Sequence, residues 1–533
     1  MDDSAPGQDG DSSDSTTKNA VPVITISPVG EVILDMTFEN SPETIKAAKR
    51  SYQKAIKRPG ATRVPEPNLN PRVRVAFRVE IDVLRKHSKY FDNLLGNKQF
   101  AEARLIEDAL SRLNLENLKA QDEDPSALPW IPITDDDEAT RSVGREKVLG
   151  DMLRILHDKP VQTGASAINM LYVTTLAVLA DRFDCRRTVS RYLGRNLKFK
   201  WPVTTNGRSS SSGSGSGSGS NGNSSNQVSL RPSDQAKNSL ANEQLLRQKI
   251  LVAWLLEQPL KLHNVTREIT MRGSVLWSAL GPPEDAPLTE AWWELPDGLE
   301  RELQYRREAI LNTIASIQRH FLSLYSSRER QCKLGYDSSS ACDLFQLGQM
   351  LKFFTGKGLV SLLDFGPSSL DALSDPAASA SLSSPSVGSS PVSTTTTSTM
   401  IVSGQVDVDD LLATLRQCPA YQVDKNHTNC GLRTRIEPIV DYVQAMLSSN
   451  VVSVSHTEWS RNRAACSWAA SASTDRTADG IDAAAASRRE RRTFAFTRSL
   501  AFDQRLRYEG ALYADKMARQ LFTADGWDWT PEY

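Results

Sequence analysis

The sequence lacks long apolar runs and an excess of charge of either sign. Its 533 residues carry 63 Lys and Arg against 64 Asp and Glu. This balance gives no chain-wide electrostatic signal for nucleic acid, so nucleic-acid binding is not expected unless it is local. The longest apolar windows, 171–180 and 250–256, are far shorter than the ~20 residues that cross a bilayer. Binding partners are therefore expected to be proteins, and no membrane span is predicted.

Catalytic motifs are also scarce. The sequence contains no G-x-x-x-x-G-K-[ST], H-E-x-x-H or G-x-S-x-G spacing, each of which positions a phosphate, a metal or a nucleophile. Only six His residues are present, none beside an obvious nucleophile, which disfavours a hydrolase. The G-x-G-x-x-G at 217–222 arises by chance within a Ser/Gly repeat that no strand precedes. We therefore predict that the chain is not an enzyme and has no cofactor other than a structural metal.

The first 20 residues contain no basic stretch followed by an apolar one, so no secretory leader is expected. Their Asp, Ser and Gly content predicts a disordered acidic tail. We therefore expect an intracellular location, in the cytoplasm, the nucleus or both. The six Cys residues are then expected to stay reduced rather than to form a disulfide framework.

Changes in composition indicate the domain boundaries, and about two folded domains are expected. After the tail at 1–20, the predicted segments are a folded domain at 23–200, a Ser/Gly-rich linker at 203–240, a helical region at 241–365, a disordered Ser/Thr/Pro-rich insert at 366–403, a continuation of the helical region at 404–465, a low-complexity segment with a basic cluster at 466–495, and a C-terminal segment at 496–533.

The residues 75–95 predict a strand that runs directly into a short helix. Val75, Phe77 and Val79 alternate with other residues, which is typical of a strand with one buried face. Apolar residues then recur at roughly helical spacing, beginning at Leu84 and ending at Leu95. The simpler interpretation is any α/β hairpin in a globular core.

This stretch resembles the signature of BTB/POZ domains. The residues that carry the resemblance are Leu84, Ser88, Tyr90, Phe91, Leu94 and Leu95. The segment 179–185 is similar to the family's later Leu-Ala-Asp-Lys-Tyr helix, and 292–299 with 326–336 resemble the region that follows the domain in a group of uncharacterised fungal BTB proteins. The resemblance implies an α+β fold, a small sheet capped by helices, followed by a mainly α-helical region.

The chain also departs from the family pattern. Glu80 stands where animal members usually have His, and residues 40–70, with a basic helix-like piece at 45–56, replace a tight hairpin. The acidic stretch 101–137 is interpreted as an enlarged loop. Within it, Asp135 to Glu138 either rim a partner surface or form a plain exposed loop.

The resemblance implies a non-enzymatic module that binds proteins and self-associates, acting as a scaffold or adaptor. One alternative is a substrate adaptor that docks a cullin scaffold of a ubiquitin ligase near the signature helix. Another is a chromatin-associated regulator that uses the basic cluster at 488–492, although a solvated, disordered run of charge explains that cluster equally simply.

A helix of about 25 residues is predicted after Asp297, because Leu303, Ile310, Ile317 and Phe321 fall on one face. The opposite face is predicted to be solvated; it includes Arg301, Glu302, Arg306, Arg307, Glu308, Gln318 and Arg319. A shorter helix is predicted to begin at Pro438.

One group of residues has metal-ligating chemistry. Cys332, Cys342, Cys418, His427 and Cys430 supply enough soft ligands for a tetrahedral zinc, with Cys332, Cys342, His427 and Cys430 as the candidate set. The spacings are wider than those of most structural zinc sites, so ordinary buried cysteines are the favoured alternative to a zinc site.

Overall fold

The computed structural model describes most of the chain. The described residues are 21–57, 66–115, 119, 122–197, 199–204, 232–277, 289–334, 337, 339–359, 406–473, 494–524 and 526–529. They form two compact units that divide between Phe199 and Lys200. Within these ranges, no helix combines the length and the apolar character that crossing a membrane requires. Four predicted segments lie wholly or mostly outside the described residues: the acidic tail, the Ser/Gly-rich linker, the Ser/Thr/Pro-rich insert and the basic cluster at 488–492.

The first unit combines four strands with seven helices among its described residues. In chain order these are β1 (Val23–Thr25), β2 (Val32–Glu39), α1 (Pro42–Ile56), β3 (Arg72–Val79), α2 (Ile81–His87), α3 (Lys89–Gly96), α4 (Ala101–Leu115), β4 (Trp130–Asp135), α5 (Arg145–Leu156), α6 (Met170–Arg182) and α7 (Arg186–Arg195). The predicted α+β class is therefore confirmed, with a small mixed sheet and a majority of helix.

The sheet has the strand order β1-β3-β2-β4. Strands β2 and β3 form an antiparallel pair, in which Val32 faces Val79 and Glu39 faces Arg72. Strand β4 lies parallel to β2 on one edge, and β1 lies parallel to β3 on the other. The two central strands are mostly buried because helices cover the sheet, and Pro132 is confined to an edge strand, where its missing N–H costs no ladder bond.

The interpretation of 101–137 as an enlarged loop is wrong. The stretch contains α4 and β4, and Ala103, Ile106 and Leu113 of α4 are buried at helical spacing. The acidic residues 135–138, which begin with the last residue of β4, also do not form one exposed loop. Asp135 is buried between Arg145 and Arg182, at 2.8 and 2.7 Å. Their density of charge misled the prediction, because the buried Arg145 and the exposed Arg182 compensate the charge of Asp135.

The signature residues hold two helical segments together. The Ser88 hydroxyl accepts a hydrogen bond from the Phe91 amide (3.0 Å), which caps α3, and donates one to the carbonyl of Phe183 (2.6 Å), which follows α6. The rings of Phe91 and Phe183 stack with centroids 5.4 Å apart, and Tyr90 meets both edge-on. Leu84, Phe91 and Leu95 are buried, whereas Tyr90 and Leu94 are half-buried.

The second unit is helical among its described residues, apart from one pair of short strands. In chain order its elements are α8 (Pro232–Leu255), α9 (Pro259–Arg272), α10 (Leu299–Ser326), α11 (Ser339–Gly356), α12 (Val408–Arg416), α13 (Leu432–Leu447), α14 (His456–Arg461), α15 (Arg463–Cys466), α16 (Trp468–Ser473), β5 (Phe494–Ala495), α17 (Arg498–Ala501), α18 (Arg505–Tyr508), α19 (Ala511–Phe522) and β6 (Trp527–Asp528). Its main core gathers apolar residues from α10, α11, α12, α13 and α19.

The predicted solvated face of α10 is buried at four positions, which corrects that prediction. Glu302, Arg306, Arg307 and Gln318 are all buried. Arg306 pairs with Glu302 at 2.7 Å and donates to the carbonyls of Val451 and Ser453. Because later segments of the chain cover this side of α10, its charged residues bind backbone carbonyls instead of water.

Several predicted boundaries also shift. Pro438 lies inside α13 rather than at its start. Helix α8 begins at Pro232, inside the predicted linker, and α16 extends to Ser473, inside the predicted low-complexity segment. A Ser- and Ala-rich composition does not exclude a helix when tertiary contacts support it.

Replacing Phe91 with Ala is predicted to lower the free energy of unfolding by about 3–5 kcal/mol, because it removes a buried ring and leaves a cavity beside Phe183. The matched control is Phe100→Ala, since Phe100 is 43% exposed. That change is expected to cost no more than about 0.5 kcal/mol. Urea unfolding of the full chain, followed by circular dichroism, measures both. Equal losses in the two variants would contradict the packing described for the signature segment.

Candidate functional site

Four side chains of the second unit converge on one point. Cys332 lies in the loop after α10, Cys342 lies in the first turn of α11, and His427 and Cys430 lie in the loop before α13. Their ligand atoms all lie within 4.8 Å of one another. Cys332, Cys342 and His427 are buried, and Cys430 is half-buried. The structure thus brings together the four residues of the candidate zinc set.

Three of the six distances between the ligand atoms are close to those of a tetrahedral metal site. Ligand bonds of about 2.3 Å to sulfur and about 2.0 Å to nitrogen place two sulfurs about 3.8 Å apart, and a sulfur and a nitrogen about 3.5 Å apart. The Sγ atoms of Cys332 and Cys430 are 3.8 Å apart. His427 Nδ1 lies 3.3 Å from the first of these sulfurs and 3.9 Å from the second.

The loops that carry the ligands are held by hydrogen bonds to carboxylates and to one phenol. The Asp343 carboxylate accepts from the amides of Gln331 (2.8 Å) and Cys332 (2.9 Å). Tyr325, at the end of α10, donates its hydroxyl proton to the Cys430 carbonyl at 2.9 Å. Asp424 accepts from the His427 amide at 3.1 Å. Each ligand-bearing loop is therefore positioned by groups outside the cluster, as metal sites require.

The three thiols of the cluster differ in how easily they ionise. Burial opposes ionisation of Cys332, but hydrogen bonds from Ser339, the Leu334 backbone, Cys430 and His427 lower its pKa to about 7. Burial, with the neighbouring thiols, raises the pKa of Cys342 to about 12 and also raises the pKa of Cys430. Cys332 is therefore the first of the three thiols to ionise as the pH rises.

Cys418 does not belong to the cluster, so its inclusion in the initial group of five was wrong. It is buried in the apolar core of the second unit with Leu415 of α12 and Leu432 of α13. Burial raises its pKa to about 12, which is typical of an inert structural cysteine. For this residue the alternative interpretation, an ordinary buried cysteine, is the correct one.

The arrangement can hold one metal ion of the zinc type. Three thiolates and a neutral imidazole would leave a zinc centre with a net charge of minus one. Arg435 lies beside the cluster, with its guanidinium 5.5 Å from the centre of the Tyr325 ring. Its positive charge lowers the pKa of Cys430, which opposes the effect of burial. Four protein ligands leave no open position, so the chemistry of this set is structural rather than catalytic.

Sequence reasoning missed the supporting residues Asp343, Tyr325 and Arg435. One signal was available, since Asp343 directly follows the ligand Cys342. Arg435 is also near in sequence, five residues after the ligand Cys430, whereas Tyr325 lies 105 residues before Cys430 and only the fold brings those two together. The signature residues of the first unit form no comparable cluster. Next to them, however, Phe100 and Leu105 are 43% and 45% exposed.

Comparison with known proteins gave no relatives. No family model, no curated protein and no solved structure matches this chain.

Filling the cluster with zinc at pH ~8 is predicted to release about two protons per chain, because the raised pKa values keep Cys342 and Cys430 protonated until the metal displaces their protons. At pH ~6, below the pKa of Cys332, the number rises, because the Cys332 thiol then releases its proton as well. Calorimetric titration in buffers of different ionisation enthalpy counts these protons. The Cys466→Ser variant is the control, since Cys466 lies outside the cluster. Release of less than one proton at pH ~8 would show that the thiols are not ligands.

Proposed function

We propose that this chain is a non-enzymatic protein-interaction protein of the BTB/POZ type, and that a structural zinc ion holds together part of its second unit. The proposed BTB/POZ class is supported by the arrangement of the first unit. A strand pair is followed by three helices, a strand that returns parallel to β2, and three further helices. This is a small sheet capped by helices, with the signature residues at the junction between α3 and α6.

Self-association and adaptor activity follow from that class. The second candidate, docking of a cullin scaffold, is favoured by one observation. Two exposed apolar residues come shortly after the signature helix α3: Phe100, between α3 and α4, and Leu105, within α4. Because Leu84 and Phe91 are almost fully buried, substitutions at those two positions test folding and not docking.

A co-capture experiment tests both candidates. Two differently tagged copies of the full chain are expressed together, and one copy is purified. We expect the second copy to be recovered, and under the adaptor candidate a cullin as well. The variant Phe100→Asp with Leu105→Asp is then expected to lose the cullin and keep the second copy. The control, Leu260→Asp with Phe502→Asp, places the same changes on exposed residues of the second unit and is expected to keep both.

Failure to recover the second copy from the wild type would contradict self-association. Recovery of the second copy with no cullin would leave a scaffold and remove the adaptor candidate. Loss of the cullin in both double variants would mean that cullin binding does not depend specifically on Phe100 and Leu105.

The proposed zinc ion is supported by the geometry of the Cys3His cluster. The ligands come from two chain segments, 332–342 and 427–430, which the residues 343–426 separate in sequence. Closing such a long loop has an entropic cost, and a metal that binds only the folded state offsets it. Zinc is the metal that best suits three thiolates and an imidazole in tetrahedral geometry.

Ligand substitution tests the zinc. The full chain, purified after expression with zinc, is expected to contain about one zinc ion by mass spectrometry of the metal. Cys342→Ser and Cys430→Ser are expected to lose most of it and to melt at lower temperature, because each removes a ligand. Cys466→Ser is the matched control and is expected to retain the metal and the melting temperature. A metal-free wild type, or equal zinc in all four proteins, would refute the assignment.

A further inference from the structure

Helix α1 of the first unit carries a row of positive charge on its exposed side. Its basic residues are Lys46, Lys49, Arg50 and Lys54, and Lys57 follows at its C-terminal cap. All five are exposed. Helix α1 lies in the segment that joins the paired strands β2 and β3, so it is an addition to the sheet rather than a part of it.

The charges and the apolar residues of α1 lie on different sides. At about 100° per residue, the five basic side chains fall within about 140° of the helix circumference. Ile45, Ala48, Tyr52 and Ala55 point the other way and are half-buried. Between Lys46 and Lys57 the helix rises about 16 Å, so the basic side chains form a continuous cationic stripe of that length.

One acidic residue, Glu43, lies in the first turn of α1, three residues before Lys46. Among the described residues, none of the five basic side chains forms an ion pair, whereas Arg72, Arg74 and Lys98 of the same unit each pair with a carboxylate. Lys46 with Arg50, and Arg50 with Lys54, are like charges at i, i+4, which destabilise a helix. The stripe therefore lowers the stability of α1 unless an anion binds it.

Hydrogen bonds fix the N-terminal end of α1, so the stripe has a defined position on the first unit. The Ser41 hydroxyl accepts a hydrogen bond from the Thr44 amide (3.3 Å) and caps the helix. Asp137 accepts from both the amide and the hydroxyl of Ser41, each at 2.9 Å. Nearby, the Asn40 side chain donates to the Asn70 carbonyl at 2.8 Å and ties the start of this segment to its end.

The charge and polarity of the stripe indicate which class of partner binds it. A protein interface needs an apolar centre, whereas the exposed cationic side of α1 has a single large apolar residue at its edge, Ile56, which is 55% exposed. A helix that lies in a membrane surface inserts its apolar face, and here the apolar residues opposite the stripe are largely turned toward the protein. A nucleic-acid backbone is bound through its charge alone, and a duplex presents one phosphate charge per ~1.7 Å of its axis.

We propose that α1 is a nucleic-acid binding site that contacts the phosphate backbone without reading base sequence. The chain as a whole has no basic excess, so this stripe is a local exception to its charge balance. Such binding is electrostatic, and it releases counterions from the nucleic acid as each phosphate is neutralised.

Fluorescence anisotropy of the full chain with a labelled ~20 base-pair DNA duplex tests the proposal. If all five cations contact phosphates, the logarithm of the affinity falls with the logarithm of the salt concentration at a slope of about 4.5. Raising NaCl from ~50 to ~150 mM then weakens binding about a hundredfold. A variant with the five residues of the stripe changed to Gln is expected to lose at least tenfold in affinity at ~50 mM NaCl.

The matched control changes five other exposed basic residues of the same unit to Gln, namely Lys86, Lys89, Lys98, Arg104 and Arg112. It removes the same net charge and is expected to change the affinity less than threefold. Thermal unfolding of both variants checks that each is folded. Equal loss in the two variants would overturn the proposal, since net charge and not α1 would then explain binding.

Unchanged binding by the stripe variant would also overturn it, because other cations, such as Arg488 to Arg492, would then carry the interaction. Two further ligands distinguish the class of partner. Vesicles containing phosphatidylserine and a poly-glutamate peptide are titrated under the same conditions. Stripe-dependent binding to either of these, with no binding to the duplex, would replace nucleic acid with a membrane or an acidic protein and would refute the proposal.

Discussion

The convergence of Cys332, Cys342, His427 and Cys430 is the constraint on which the account of the second unit depends. Its ligands belong to the loop after α10, the first turn of α11 and the loop before α13, so one point fixes three neighbouring elements of the helical core. Without a metal, the cluster is held by hydrogen bonds, such as those of the Cys332 sulfur with His427 Nδ1 (3.3 Å) and the Cys430 sulfur (3.8 Å). With zinc bound, the same four groups become a crosslink that bridges the residues 343–426.

Buried arginines provide a second set of crosslinks in both units. Arg145 joins the end of β2, the loop after β4 and the start of α5 through hydrogen bonds to Asp135, Asn40 and backbone carbonyls. Arg307 donates to the carbonyls of Thr270, Met271 and Val406, and burial lowers its pKa to about 10. Because a guanidinium offers five donors in a fixed plane, it satisfies carbonyls from several segments at once. These contacts hold irregular segments that have few apolar residues to bury.

Much of the architecture could be predicted from local patterns, and the failures have physical causes. The alternation at Val75, Phe77 and Val79 and the apolar stripe of α10 identified β3 and α10 because they belong to strongly periodic segments. Strand β4 was missed because Pro132 and the surrounding acidic residues resemble a loop, while Arg145, which neutralises them, lies ten residues beyond Asp135. The four ligands were named from their chemistry, but only the fold separates them from Cys418, since sequence spacing does not show which cysteine lies in an apolar core.

The direct test of the central claim is the coordination shell of the metal. X-ray absorption at the zinc edge of the zinc-loaded full chain is expected to give three sulfur ligands at about 2.3 Å and one nitrogen at about 2.0–2.1 Å, with the multiple-scattering pattern of an imidazole. A shell of oxygen and nitrogen alone, or one with no more than a single sulfur, would contradict the account and reduce the cluster to four ordinary buried side chains.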